Sequence, residues 1–306
     1  MTFSRRHFLA TSAAVPFAGA LRALPLAAIR LGVTSDEIDE DPAKAAEFLH
    51  RFGVQYAEVR NIWGKYNTAQ PLDKVREARA QFDAQNVKVS IVDTAFFRGA
   101  IPADGPALDK EWTLLDNAMD RADIFGTKLL RTFAFMPPDG GSPNGGSLDG
   151  GVPERARALL HDAARRAAKR DFRLAIENLK GSYVQTGADA AKLLASVNEP
   201  NLGLTWDPNN AAAAGEKSFP DGYRLLNPAR IFHVHLRDFR HKPDGTVEWT
   251  AVGAGEFDNF AQITALRKDG FRGSLTLETH WRAPEGKAFS TEMSLKALLK
   301  VIDKLS

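Results

Sequence analysis

The stretch IFHVHLRDF, residues 231–239, decides how this chain reads. Its apolar residues run on almost unbroken, as in a parallel strand covered on both faces. The same kind of run recurs on either side. Strands are predicted upstream at 29–35, 56–60, 87–96, 128–135, 173–178 and 202–210, and downstream at 273–281. Between them the spacing predicts helices near 42–52, 72–85, 107–126, 153–170, 187–197, 219–227 and 258–269, with a last one at 287–304. Eight strands alternating with eight helices imply parallel strands joined by helical crossovers. Closed on themselves, eight such units make an α/β fold of about 250 residues, the (β/α)8 or TIM barrel. The rival is an open doubly wound sheet, but no glycine-rich dinucleotide fingerprint follows the first strand.

Residues 29–306 read as one barrel domain and residues 1–28 as an address. Arg5 and Arg6 precede Phe8, Leu9 and an alanine-rich stretch, a pattern that resembles a twin-arginine export signal. It would be cut after AGA (18–20) or LAA (26–28). The expectation is a periplasmic or secreted protein, carried out by the twin-arginine translocation machinery. The alternative is a basic amphipathic first helix. Arg22 breaks the apolar run, so no spanning helix is expected.

The formal net charge is +2. Without Arg5, Arg6 and Arg22 it becomes 37 basic against 38 acidic residues, which offers no basic face for nucleic acid. There is no cysteine, so disulfides, thiolate metal sites and a cysteine nucleophile are excluded. The loop DGGSPNGGSLDGG (139–151) follows the fourth strand, and reads either as a mobile lid or as a loose insertion.

In a barrel, side chains at the C-terminal strand ends converge on one site. Those ends carry Glu58, Glu177, Asn178, Asp207, Asn209, Asn210, His233, His235, Arg237, Asp238, Glu278, His280 and Trp281. His233 and His235 are two of seven histidines and share one face of their strand. Carboxylates buried together repel unless something neutralises them. A divalent cation held by Glu177, Asp207, His235 and Glu278 resolves the conflict, and separate salt bridges are the alternative. The oxygen-rich set suits Mn²⁺ first, with Mg²⁺, Co²⁺ or Zn²⁺ as alternatives. His233 then stands behind the ligands or faces substrate. Glu58, Asn210, Arg237, His241 and Trp281 are candidate substrate contacts. Trp63, Phe96, Trp206 and Trp281 are candidate apolar walls for a sugar face. Lys65, Lys180, Arg237 and Arg240 are cations that could meet a phosphate, with solvated surface charge as the alternative reading.

Five segments come in order: LAIEN (174–178), NLGLTWDPNN (201–210), IFHVHLRD (231–238), VGAGEFD (252–258) and GFRGSLTLETHW (270–281). Together they resemble the sugar phosphate isomerase/epimerase family, the xylose isomerase-like barrels. The resemblance implies a metal on Glu177, Asp207, His235 and Glu278, with the two glutamates as the acid/base pair. This chain departs from the ketose epimerases of that family at three places. Asn210 replaces a substrate-binding His, His241 replaces an Arg, and Leu179 replaces the His that often follows EN.

The activity so implied is a metal-dependent sugar isomerase or epimerase, working by proton abstraction beside a carbonyl through a metal-stabilised enediolate. Two alternatives use the same cleft: a lyase that cleaves 3-keto-glycosides by elimination, and a carbohydrate-binding protein without turnover. A phosphodiesterase with a histidine-rich zinc cluster fits poorly, because too few histidines sit at strand ends.

Overall fold

The computed structural model describes residues 29–138 and 151–305. The twin-arginine segment and all but Gly151 of the glycine-rich loop lie outside the described residues.

Eight parallel strands close into a barrel: β1 (Arg30–Thr34), β2 (Tyr56–Val59), β3 (Lys88–Asp93), β4 (Leu129–Thr132), β5 (Arg173–Glu177), β6 (Leu202–Trp206), β7 (Ile231–Leu236) and β8 (Ser274–Leu277). Each pairs with the next in sequence, and β8 pairs with β1. Eight helices follow them: α1 (Pro42–Arg51), α2 (Leu72–Ala84), α3 (Pro106–Phe125), α4 (Glu154–Ala168), α5 (Gly187–Ser196), α6 (Pro208–Ala213), α7 (Asn259–Lys268) and α8 (Lys287–Asp303). Why these segments are helical is plain in α4. Ala156, Leu159, Leu160, Ala163, Ala164 and Ala167 recur at helical spacing and are the residues it buries. In α5, Thr186 and Asp189 form a reciprocal capping box. Among the described residues no helix is long and apolar enough to cross a membrane.

Three sequence expectations are corrected. The sixth helix is not at 219–227, where the chain makes one irregular turn, Ser218–Gly222, around Pro220. It starts directly after β6, because Asp207 caps it and Pro208 fits its first turn. The seventh strand ends at Leu236, not Phe239; the chain continues into an unforeseen hairpin of Asp238–His241 with Val247–Thr250. Strands 3, 4, 6 and 8 stop three to four residues early, and their ends become the rim of the mouth.

Two bulges set which residues face the barrel axis. The register slips between Leu204 and Thr205 against β7, and between Ala57 and Glu58 against β3. The first slip turns Phe232 inward, where it joins Ile91, Ala175 and Leu129 in a small apolar plug. Gly203 makes room for it, since a Cβ there would lie 2.4 Å from the Phe232 ring. Above the plug the barrel interior is polar, with Glu58, Asp93, Thr205, His233 and Thr276 all buried.

Candidate metal centre

Strands β5 to β8 end side by side, and each delivers one side chain to the same point. Glu177 closes β5, Asp207 follows β6, His235 is next to last in β7, and Glu278 follows β8. Strand parity explains the convergence. Trp206 turns outward to the helix layer, where its Nε1 donates to Gln262 of α7 at 3.3 Å, so its neighbour Asp207 faces the axis. One donor atom from each of the four lies within 4.8 Å of every other. His235 Nδ1 stands 3.5 Å from Glu177 Oε1, 3.6 Å from Asp207 Oδ2 and 3.3 Å from Glu278 Oε2. All four residues are buried.

The local sequence aims these atoms. Asp207 Oδ1 accepts from the backbone N–H groups of Asn209 and Asn210, at 2.9 and 2.8 Å, and so caps α6. That leaves Oδ2 for the centre. Asn178 clamps the Asp207 backbone from both sides, accepting from its N–H and donating to its carbonyl, each at 2.8 Å.

The arrangement fits a divalent cation on its own terms. Two carboxylates are bonded by an arginine on the oxygen that faces away from the centre, Arg131 to Glu177 Oε2 and Arg60 to Glu278 Oε1, each at 2.7 Å, while Arg237 bonds the centre-facing Oδ2 of Asp207 and lies 3.3 Å from Glu278 Oε2. On the inner side, His235 Nδ1 and Glu278 Oε2 are buried with no hydrogen-bond partner. A cation seated between them satisfies both, and one imidazole with three carboxylates is a donor set for Mn²⁺, Mg²⁺, Co²⁺ or Zn²⁺. Burial pushes Glu278 up, but His280, His235 and Arg237 hold it well below the usual carboxylate range. Burial likewise opposes Arg131 and His235 at Glu177, and the two win. Both glutamates are therefore charged at neutral pH.

Residues 46–301 match the xylose isomerase-like TIM barrel family. The chain belongs to that family. No curated protein sequence matches it significantly. Solved structures give the same fold at low identity. The IOLI protein with a bound zinc atom superposes with a TM-score of 0.72 at 19% identity, over 91% of this chain and 99% of that one. D-allulose 3-epimerase from Methylomonas sp. with D-allulose gives 0.69 at 18%, over 91% and 97%. The probable 3-DHS dehydratase AsbF from Bacillus anthracis gives 0.68 at 15%, over 89% and 99%.

Within this member of the family, Glu58 is not placed as a substrate contact. It is fully buried inside the barrel, with Oε2 2.7 Å from His233 Nε2 and Oε1 2.9 Å from His235 Nε2. Both imidazoles donate to it through Nε2, which points His235 Nδ1 at the centre, where it would give up its proton to coordinate a cation. The paired histidines thus have one task each. His235 faces the donors, and His233 braces the carboxylate behind it rather than facing the mouth. Burial works against the charge on Glu58, yet His235 and His233 hold it well below the usual carboxylate range. Burial lowers His233 and keeps it neutral. It opposes the charge on His235 too, but Glu58 and Glu278 raise that ring well above its ordinary value.

The other expected contacts are scattered. Asn210 is buried and engaged, donating to Glu177 at 3.2 Å and to the Asn178 carbonyl at 3.0 Å, and accepting from Arg237 at 2.8 Å. Arg237 is buried and also bonds His280, with its guanidinium 4.4 Å above the Trp249 ring of the hairpin. His241 is half-exposed on that hairpin and paired with Glu256 at 2.8 Å, away from the four donors. Trp281 is partly buried beyond β8. Trp206 is core, not a wall, and Phe96 is buried against Phe97 at 3.8 Å. Trp63 stands partly buried beyond β2 with Lys74 over its ring. Asp238 accepts from the backbone N–H groups of Phe239, Gly253, Gly255 and Phe257, which explains the VGAGEFD segment as a loop anchor.

Three residues of the site escaped the sequence reading: Arg60, Arg131 and Asp93. A charge inside an apolar run marks Arg131 (KLLRTF), and the strand-end rule applied to VSIVD marks Asp93. Asp93 is fully buried; burial and the nearby Glu58 raise it well above the usual range, and Arg131 only partly offsets them.

Proposed function

We propose that the protein is a divalent-metal-dependent isomerase or epimerase of a small hydroxycarbonyl compound, a sugar or sugar derivative. The observation that carries this reading is the order of donors around the barrel. Glu177 and Glu278 come from the outer two of four consecutive strands, with Asp207 and His235 between them. A substrate lying over the centre is flanked by two charged carboxylates.

Bound there, a divalent cation supplies a Lewis acid that lowers the cost of negative charge on a carbonyl oxygen. Glu177, Asp207, His235 and Glu278 would hold it. One flanking glutamate then takes the proton from the carbon beside the carbonyl. Return of a proton by the other glutamate to the opposite face of that carbon gives an epimer, and return to the neighbouring carbon gives an isomer. Arg131 and Arg60 fix the two glutamates in angle, and the surrounding cations keep them ionised, which is what a base at short reach needs. If the proton is not returned and a group on the next carbon leaves, the same base gives elimination, the lyase alternative. The similarity to a probable dehydratase keeps that alternative in view as a fold-level analogy. Export through a twin-arginine signal belongs to the proposal too, and is checked by whether replacing Arg5 and Arg6 with Lys keeps the chain inside the cell.

The deciding experiment loads residues 29–306 with Mn²⁺ and incubates them in D₂O with free sugars and 3-keto-glycosides, followed by proton NMR. Metal-dependent deuterium uptake beside the carbonyl, lost in Glu177→Gln and Glu278→Gln, is the expected outcome. A new sugar means isomerase; a released aglycone with an unsaturated sugar means lyase. Binding without exchange would leave a carbohydrate-binding protein.

A further inference from the structure

The opposite end of the barrel carries a feature that the chemistry above does not use. A cavity of about 780 Å³ opens at the N-terminal ends of the strands. Among the described residues, six cationic side chains line it and no carboxylate does. Three of the six are engaged by the protein. Arg79 bonds Asp83 and the Phe125 carbonyl, Lys128 bonds Asp123 and the Arg170 carbonyl, and Arg272 bonds the Phe271 carbonyl.

Arg30, Lys88 and Arg173 are different. Among the described residues none of their side chains has a hydrogen bond or an ion pair. They are the first residues of β1, β3 and β5, and register puts all three on the axis-facing parity of their strands. Inward residues of alternate strands lie in one layer of a barrel, so the three charges gather around one axis. Two guanidinium groups also lie over aromatic rings. Arg173 lies 3.5 Å from the centroid of the Phe232 ring, and Arg30 lies 4.8 Å from that of Tyr56. A guanidinium over a ring, with no protein acceptor, still has N–H groups to offer an oxyanion. Phe232 belongs to the plug, so the cavity has an apolar floor that separates it from the catalytic mouth.

All three side chains are exposed at the open end of the barrel, so a ligand can reach them from solvent. We infer that this cavity binds a small phosphorylated anion with two or more negative charges, seated between Arg30, Lys88 and Arg173. Arginine forks and a lysine point charge match tetrahedral oxyanions, and the concave shape suits a compact ligand better than a flat bilayer.

The probe is inorganic pyrophosphate, titrated by calorimetry into metal-free protein at low and at physiological salt. Saturable one-to-one binding is expected, weakening as salt rises. Arg173→Gln and Lys88→Gln should each weaken it about tenfold or more, the loss of one charge-assisted contact. Arg30→Gln gives a third test, and because all three side chains are exposed, folding is not at stake in any of the variants. Glu177→Gln, at the other end of the barrel, should leave the affinity unchanged. Absence of binding at millimolar pyrophosphate would overturn the inference. So would binding that survives all three cation replacements, or binding of anionic phospholipid vesicles with none of pyrophosphate. None of these outcomes bears on isotope exchange at the mouth, so the two proposals stand or fall separately.

Discussion

Replacing Glu58 with Gln tests the interior of the centre without touching a donor. Glu58 is fully buried and ionised, and it receives the Nε2 protons of both His233 and His235. The amide has nearly the same shape, but loses the charge and can accept from only one of the two rings. The 2.9 Å hydrogen bond, the width of an imidazole and one coordination bond put the lost charge roughly 7 Å from a bound cation. One charge against two at that distance is worth about 5 kcal/mol at an effective dielectric of about 20. That is an upper bound, because the proton shared with His235 and the nearby Arg131 already offset part of the charge. Partners behind metal ligands typically account for a 10- to 100-fold change in affinity, about 1.4–2.7 kcal/mol. Titration of Mn²⁺ into chelator-stripped wild type and Glu58→Gln should show a loss in that range. Circular dichroism should show an unchanged fold. An affinity within about threefold of wild type, with the variant folded, would refute the idea that Glu58 orients His235 toward a metal.

Asp207→Asn separates two roles of one side chain. Asn caps helices about as well as Asp but takes a carboxylate from the buried Arg237, so some thermal stability should be lost while Mn²⁺ affinity collapses; Mn²⁺ affinity equal to wild type would show that Asp207 serves the fold alone. Gly203→Ala drives a methyl into Phe232 and the Arg230 carbonyl, at 2.4 and 2.5 Å, and should cost about 1–3 kcal/mol or more in urea unfolding. Unchanged stability would mean that the plug is loosely packed. The pH profile of the metal-free protein follows from opposite shifts. The raised His235 stabilises the fold fully below its ordinary 6.5 and loses that contribution as pH climbs through its folded value. The depressed Glu58 and Glu278 stabilise it above their ordinary 4.5 and lose that as pH falls through their folded values. Metal-free Tm should therefore peak between about pH 4.5 and 6.5 and decline on the alkaline side. Saturating Mn²⁺ should remove the alkaline decline, because it takes the His235 lone pair. A metal-free Tm that climbs from pH 6.5 to 9 would contradict the assignment.

Much of this molecule is local and can be read in one dimension. Strand-helix alternation and the apolar run of each strand are properties of short segments, and together they imply the barrel. Period-two parity then aims Glu177, Asp207, His235 and Glu278 at one mouth, since each stands at a strand end on the inward face. What the chain alone did not decide depends on closure. A bulge changes parity only relative to a partner strand, so the inward turn of Phe232 and the deep position of Glu58 could not be read from their own segments. The arginines that brace the donors act across long sequence gaps, 46 residues from Arg131 to Glu177 and 218 from Arg60 to Glu278. Only the closed barrel brings those charges together, and it gathers Arg30, Lys88 and Arg173 at the other end in the same way. A residue type and its parity are local; its neighbour across the barrel is set by the register of eight strands at once.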